Sequence, residues 1–363
     1  MRVFLNFKFF ANAKNLKENS NKNPKDFSLH IFRIREIIIS MLVSLYIIYT
    51  MVKKAVLVGI NYYSTSSARL NGCINDILNM KKTLINNYGY KESDIIVLRD
   101  DINNASTAPT ASNIWRNLCT LIANSASCEE IWFHYSGHGA QIRDTSGDEK
   151  SGRDSVIVPS DFMSVGVIPD DYIYSAVKNS RAGKTMFLFD SCNSGTVCDL
   201  IWSFEYMGGT SFQRTKNNNL AISNPNIFMI SGCKDVQTAA DIYDTEDKQF
   251  EGAFTNEFLR ALSYYKYNGS IFDIYKKTCT NLSAAGYSQK PILSTTTATP
   301  AYSFKKVTGP GLTKVISGPT QIKTTKSGFQ RSVSGSRGSS ALAMGGLMSH
   351  SHALRRAAVA AKQ

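Results

Sequence analysis

Between residues 54 and 264, short apolar runs alternate with segments whose apolar residues recur every three or four positions, and this alternation restricts the fold more than anything else in the chain. KAVLVGI at 54–60 reads as a buried strand running into the Asn61-Tyr62-Tyr63 loop. Ile74, Ile77, Leu78, Leu84, Ile85 and Tyr88 then follow helical spacing up to Gly89. The pattern predicts further strands at 95–98, 130–135, 185–190 and 227–230, with helices over 110–124 and 254–264. Strands separated by helical segments predict an α/β fold with a central, mostly parallel sheet covered on both faces. Sites in such folds gather at the carboxyl ends of the strands. Two polar, glycine-containing motifs fall there, HYSGHGAQ at 134–141 and DSCNSG at 190–195.

Those motifs carry chemistry. His138 stands between two glycines just beyond a strand, and Cys192 lies two residues past another, where a buried structural thiol would be out of place. A thiol beside an imidazole makes a nucleophile and base pair, because the thiolate is the reactive form and histidine exchanges protons near neutral pH. The backbone N–H groups of Cys192 and Gly139 are candidate oxyanion donors. Ordinary loop residues and metal binding are the competing readings. His134 and His138 lack the glutamate of HExxH and straddle a strand-to-loop transition, which weakens the second, and His134 is expected to pack in or beside the sheet. Neither motif is a GxSxG elbow, which weakens a serine mechanism.

Charge is distributed unevenly. Residues 1–55 carry +7, residues 56–273 carry −7 and residues 274–363 carry +13, within an overall +13. The part most able to fold is acidic, so nucleic acid is not the expected partner. Seven cysteines without a CxxC pair argue against a disulfide framework and for a reducing, cytoplasmic setting. The expected organisation is an N-terminal extension over 1–52, a folded domain over 53–305 and a flexible basic tail over 306–363. Ile37 to Val52 is free of charge and flanked by Arg33, Arg35, Glu36, Lys53 and Lys54, so membrane association through residues 37–52 is one reading of that stretch, although it falls short of the roughly 20 residues a span requires. A buried helix, and an upstream region made dispensable by alternative starts at Met41 or Met51, are the others.

The motifs KKAVLVGINYY, LNGCINDILNM, HYSGHGAQ, SGRDSVIVPSD, IPDD, FLFDSCNSG, SGCKDVQTAAD and GAFTNEF together resemble the metacaspases, caspase-like cysteine peptidases, over roughly residues 53–305. The short interval between the cysteine motif and ISGCKD is similar to the type I arrangement. The resemblance implies a caspase-like α/β/α sandwich, with Cys192 as nucleophile and His138 as general base. It also implies cleavage after Arg or Lys, with Asp76 and Asp190 as the acidic specificity pocket. Calcium is the implied cofactor, and Asp154, Asp170, Asp171 and Asp199 match the family's metal positions, with Asp148 and Glu149 as candidate additions to the acidic rim. The partners implied are protein or peptide substrates with a basic P1 residue, for a monomeric enzyme that processes itself. Lys53 and Lys54, or Arg214 and Lys216, are chemically suitable sites for that processing. Two departures stand out: Asn193 replaces the histidine usual in DSCHSG, and Ala239 stands where QTSAD has serine. A non-catalytic caspase-like interaction protein, attached to a membrane, is the alternative.

Overall fold

The computed structural model describes residues 32–40, 52–144, 147, 152–192, 197–232, 241–244 and 249–308. The chain divides into two compact units, Met1–Met51 and Val52–Gln363. In the first, residues 32–40 form a helix that exposes Phe32, Ile37, Ile38 and Ile39.

The second unit is organised by strands β1 (Val52–Gly59), β2 (Ile95–Arg99), β3 (Cys128–Ser136), β4 (Gly139–Arg143), β5 (Arg153–Ile157), β6 (Ile168–Pro169), β7 (Lys184–Asp190), β8 (Trp202–Gly208), β9 (Ser211–Lys216) and β10 (Ile227–Ser231), followed by β11 (Asp241–Asp244), β12 (Gln249–Gly252), β13 (Gly269–Ser270), β14 (Ile292–Thr295) and β15 (Ser303–Phe304). Eight of them form one sheet in the order β2-β1-β3-β7-β10-β14-β8-β9. The first five are parallel neighbours, and β14, β8 and β9 continue the sheet antiparallel. A separate three-stranded sheet, β4-β5-β6, leaves the carboxyl end of β3.

Helices α1 (Cys73–Tyr88), α2 (Ala111–Ala123), α3 (Asp170–Val177), α4 (Ala253–Tyr264) and α5 (Ile271–Ala284) cover the large sheet. Strand alternation sorts the core into two layers. Val56, Val58, Phe133, Tyr135, Phe187 and Phe189 face α2 and α3, where Ile114, Leu118, Ile173 and Val177 meet them. Ala55, Leu57, Trp132, Met186 and Leu188 face the opposite way, toward Ile77, Met80 and Leu84 of α1, Phe254 and Phe258 of α4, and Ile274 of α5. The result is a three-layer α/β/α architecture with a mostly parallel central sheet, in which the interior strands are apolar on both faces because helices cover both.

Two helix ends follow their sequence signals. The Thr110 side chain accepts the Asn113 N–H at the start of α2, and Ser270 with Asp273 forms a reciprocal capping box on α5.

The membrane association expected of residues 37–52, and with it a membrane-associated location, is corrected here. Among the described residues no helix is long and apolar enough to cross a membrane. The helix over 32–40 would reach only ~14 Å at ~1.5 Å per residue, against a hydrocarbon core of ~30 Å. Residues 41–51 of that stretch lie outside the described residues, as does the basic tail from 309 onward.

Candidate active site

Strands β3 and β7 are parallel neighbours, and Ser136 pairs with Asp190 at their last shared position. His138 and Cys192 each lie two residues beyond that pair, so strand register alone delivers both to the same place at the carboxyl edge of the sheet. The Gly137 N–H donates to the Asp190 carbonyl at 3.2 Å, extending the pairing past the strand ends. A Cβ on Gly139 would run into the carbonyl oxygen of Cys192. The residue after the histidine therefore presses against the backbone of the cysteine, and only glycine allows that approach. Gly139→Ala is expected to cut turnover by ~10²-fold or more, because one of the two segments has to move. Steady-state rates on the purified variant, with a circular dichroism spectrum matching wild type, would check this; an active G139A would sink it.

His138 and Cys192 are both partly exposed. The His138 Nε2 lies 2.8 Å from the carbonyl oxygen of Ala68. A carbonyl can only accept, so in the neutral ring Nε2 carries the hydrogen and Nδ1 keeps the lone pair of a base. The backbone of His138 is held at both poles by buried phenols. Its N–H donates to Tyr62 Oη at 2.8 Å, and Tyr135 Oη donates to its carbonyl at 2.7 Å. Burial is the chief cause that pushes both hydroxyls well above the ordinary tyrosine range, so they stay protonated at working pH. The Tyr62 ring also lies against the imidazole, with centroids 4.6 Å apart.

Asp76 in the first turn of α1 and Asp190 at the end of β7 are both buried. Ser136 Oγ donates to Asp76 Oδ2 at 2.6 Å and the Gly252 N–H to Asp76 Oδ1 at 2.8 Å. The Thr255 N–H donates to Asp190 Oδ2 at 2.9 Å. The two carboxylates converge on Gly252, where a Cβ would strike Asp190 Oδ2 and lie 2.7 Å from Asp76 Oδ2. An acidic pair separated by 114 positions in the sequence is thus assembled at the carboxyl end of β7, two residues before Cys192 in the chain, by α1, β7 and the start of α4.

His134 is fully buried in β3, with Nε2 3.4 Å from Thr255 Oγ1. It lies on the α4 side of the sheet, whereas His138 packs with Tyr62 on the other, so the two histidines do not form a metal pair. Desolvation lowers the His134 pKa to about 3 from the ordinary 6.5. The unfolded chain then binds an extra proton throughout that interval. The stability contributed by neutral His134 is complete above pH ~6.5 and is lost as pH falls toward 3, on the order of 4 kcal/mol at the bottom of the window. Urea unfolding at pH 7 and pH 4.5 should give a shallower acid loss for His134→Gln than for wild type, and equal slopes would refute the assignment.

The four carboxylates matched to calcium lie on adjoining elements. Asp154 is buried on β5, Asp170 and Asp171 open α3, and Asp199 sits in the left-handed region at φ 44. The Asp170 carboxylate accepts the Ser155 N–H at 2.7 Å and the Asp171 N–H at 3.0 Å. Asp199 and Asp170 both reinforce the rise that burial gives the Cys198 thiol, which places them around one buried residue. The donor set, all carboxylate oxygen, suits a hard cation. Among the described residues no three acidic, histidine or cysteine side chains converge closely enough to hold an ion. Asp148, Glu149, Asn193 and Ala239 lie outside the described residues.

Sequence reasoning missed the supporting residues. Tyr62, Ser136, Gly252 and Thr255 all fall inside the motifs quoted above, but the roles of Tyr62, Tyr135 and the Ala68 carbonyl depend on contacts between segments that the sequence does not pair.

Comparison with known proteins agrees with the residues. Positions 53–201 match the family described as metacaspase, peptidase C14 domain. Metacaspase-1 of Scheffersomyces stipitis is 35% identical over 287 residues, covering 67% of this chain and 70% of that protein. Metacaspase-1A of Neurospora crassa is 34% identical over 295 residues, covering 67% and 62%, and Metacaspase-1 of Saccharomyces cerevisiae S288c is 32% identical over 289 residues, covering 67% and 66%. The matched region thus spans about two thirds of these relatives' length. Among solved structures, a Geobacter sulfurreducens protein is similar at 23% identity and a TM-score of 0.47, covering 69% of this chain and 95% of that one. On its own motifs and on these relatives, the chain belongs to the metacaspase family of caspase-like, cysteine-type endopeptidases.

Proposed function

We propose that this chain is a calcium-dependent cysteine endopeptidase that cleaves peptide bonds after Arg or Lys. The observation that carries the reading is the convergence of two buried carboxylates, Asp76 and Asp190, on Gly252 at the strand ends that also deliver Cys192 and His138. A pocket floored by two negative charges selects a guanidinium or ammonium by direct pairing and rejects an acidic side chain. With the basic P1 side chain seated there, the scissile carbonyl is presented to Cys192.

His138 Nδ1 takes the proton from the Cys192 thiol, and the thiolate attacks the carbonyl carbon. The resulting oxyanion is met by backbone N–H groups, for which Cys192 and Gly139 are the candidates. His138 then gives its proton to the departing amine as the carbon–nitrogen bond breaks. Water, deprotonated by the same nitrogen, hydrolyses the thioester and returns the thiol. Throughout, the Ala68 carbonyl holds the opposite ring nitrogen, so the proton always exchanges at the cysteine side.

Asp154, Asp170, Asp171 and Asp199 would hold calcium, and the positive charge it supplies when bound would offset the repulsion among these carboxylates. Binding to the folded state alone stabilises it, by about 2.7 kcal/mol when calcium is 100-fold above its Kd. Thermal unfolding should therefore shift upward with calcium in wild type and not in a D171A/D199A variant; identical shifts would remove these residues from the site. For self-processing, Lys53 and Lys54 are poorly placed, since both are paired with β3 and the Lys53 ammonium donates to the Tyr88 carbonyl. Arg214 and Lys216 are exposed on the edge strand β9, and mass spectrometry of calcium-treated protein should find cleavage there rather than at Lys53.

The decisive experiment is hydrolysis of Arg, Lys and Asp reporter peptides with and without calcium. Calcium-stimulated cleavage of the two basic reporters is the expected result, and cleavage of the Asp reporter alone would reject the pocket.

A further inference from the structure

Tyr62 is a non-glycine residue in the left-handed region, at φ 55, yet it is almost fully buried. Such a conformation persists only where surrounding contacts hold it. Here Asp100, just beyond the end of β2, supplies the clamp. Its Oδ1 accepts the Asn61 N–H and its Oδ2 accepts the Tyr63 N–H, both at 2.9 Å, so one carboxylate brackets Tyr62 from its two neighbours. The loop then folds back through the Thr65 N–H to the Tyr62 carbonyl at 3.0 Å and the Leu70 N–H to the Asn61 carbonyl at 3.0 Å. This single loop reaches His138 twice, through the Tyr62 side chain and through the Ala68 carbonyl.

The Tyr62 hydroxyl completes a chain of donors. It accepts from the His138 N–H, donates to the Val158 carbonyl at 2.7 Å, and lies 3.2 Å from Tyr135 Oη. Its ring meanwhile lies tilted against the imidazole, at 38° between the planes. Its hydroxyl and its ring both meet His138 itself, so it acts through the histidine.

We infer that Tyr62, locked in a left-handed turn by the Asp100 carboxylate, is a positioning residue for His138, fixing both the backbone and the ring face of the base. The inference rests on the assignment of Cys192 and His138 as the reacting pair. A histidine tilted out of line still binds substrate but exchanges its proton poorly, so the loss falls on turnover rather than on binding.

The test compares wild type, H138A, Tyr62→Phe and Asp100→Asn in two measurements: kcat and KM on an Arg reporter with calcium, and the pH dependence of Cys192 alkylation by iodoacetamide. Tyr62→Phe keeps the ring and removes the acceptor of the His138 N–H. It is expected to lower kcat by about tenfold or more with KM changed less than about threefold, and to move the alkylation profile toward that of H138A. Asp100→Asn, which keeps one acceptor oxygen and lies at the loop root, should shift both in the same direction by less. A purely structural tyrosine would lower the unfolding temperature and leave the alkylation profile of the folded protein unchanged, and that result overturns the inference. Should Tyr62→Phe fail to fold, an Asp100→Asn protein with wild-type kcat and profile overturns it equally. A wild-type profile that H138A leaves untouched would overturn the thiol–imidazole pair and the positioning role together, whereas a profile abolished in H138A but intact in Tyr62→Phe would overturn the positioning role alone.

Discussion

Cys192→Ala should abolish calcium-stimulated cleavage of Arg and Lys reporters, with a loss on the order of 10⁴-fold or greater. The size follows from chemistry: alanine removes the only atom proposed to bond to the substrate, and the remaining oxyanion donors and pocket can only orient a peptide that water must then attack unaided. Folding should be little affected, because Cys192 is partly exposed and contributes no large apolar surface to either core. Equal cleavage by C192A and wild type would remove the thiol from the mechanism. Residual cleavage sensitive to His138→Ala would point to a water-based reaction in the same cleft.

A second large effect is expected at the acidic pair. Asp76→Asn preserves size and keeps one oxygen to accept the Gly252 N–H, with its amide N–H turned to donate to Ser136 Oγ, but removes one negative charge. The loss in kcat/KM for an Arg reporter should reach ~10²-fold or more, since truncating one partner of a desolvated charge pair typically costs ~2–5 kcal/mol. Stability is expected to move the other way. Two like charges converging on one glycine oppose each other while no substrate is bound, so the unfolding temperature of substrate-free D76N should rise. A D76N protein that kept its preference for Arg would exclude Asp76 from specificity. One that lost activity together with stability would show a structural role instead.

The parallel core was legible because its strands and helices are long, strongly periodic and local. Gly89 ended α1, and the apolar runs at 130–135 and 185–190 came within two residues of the bounds of β3 and β7. Other elements were hidden for physical reasons. β4 and β5 are short strands in a polar stretch, and their pairing depends on Gly139 folding back from β3. In β9, SFQRTK is an exposed edge whose composition resembles that of a loop. The proposed reacting residues were visible in their motifs, since glycine-flanked polar groups past a strand are conspicuous. The grip on His138 was not, because it is built from Tyr62, Ala68 and Tyr135, two of which look like ordinary core aromatics. The carboxylates matched to calcium were named individually, and their mutual distances depend on how β5, α3 and the segment after Cys192 pack, which no spacing encodes.

The two cores separated by the sheet also hold different parts of the proposed site. His138 is braced by Tyr62 and Tyr135, which belong to the layer packed with α2 and α3. Asp76 and Thr255 stand on α1 and α4, whose apolar faces form the opposite layer. On the proposed assignment, proton transfer and substrate choice are anchored in different hydrophobic interiors that meet at the strand ends. Repacking behind α4 should retune which side chain is accepted while leaving the chemical step almost intact, and changes behind α2 should slow that step for every substrate alike. A lineage with this architecture can drift in preference without first surrendering its reactivity.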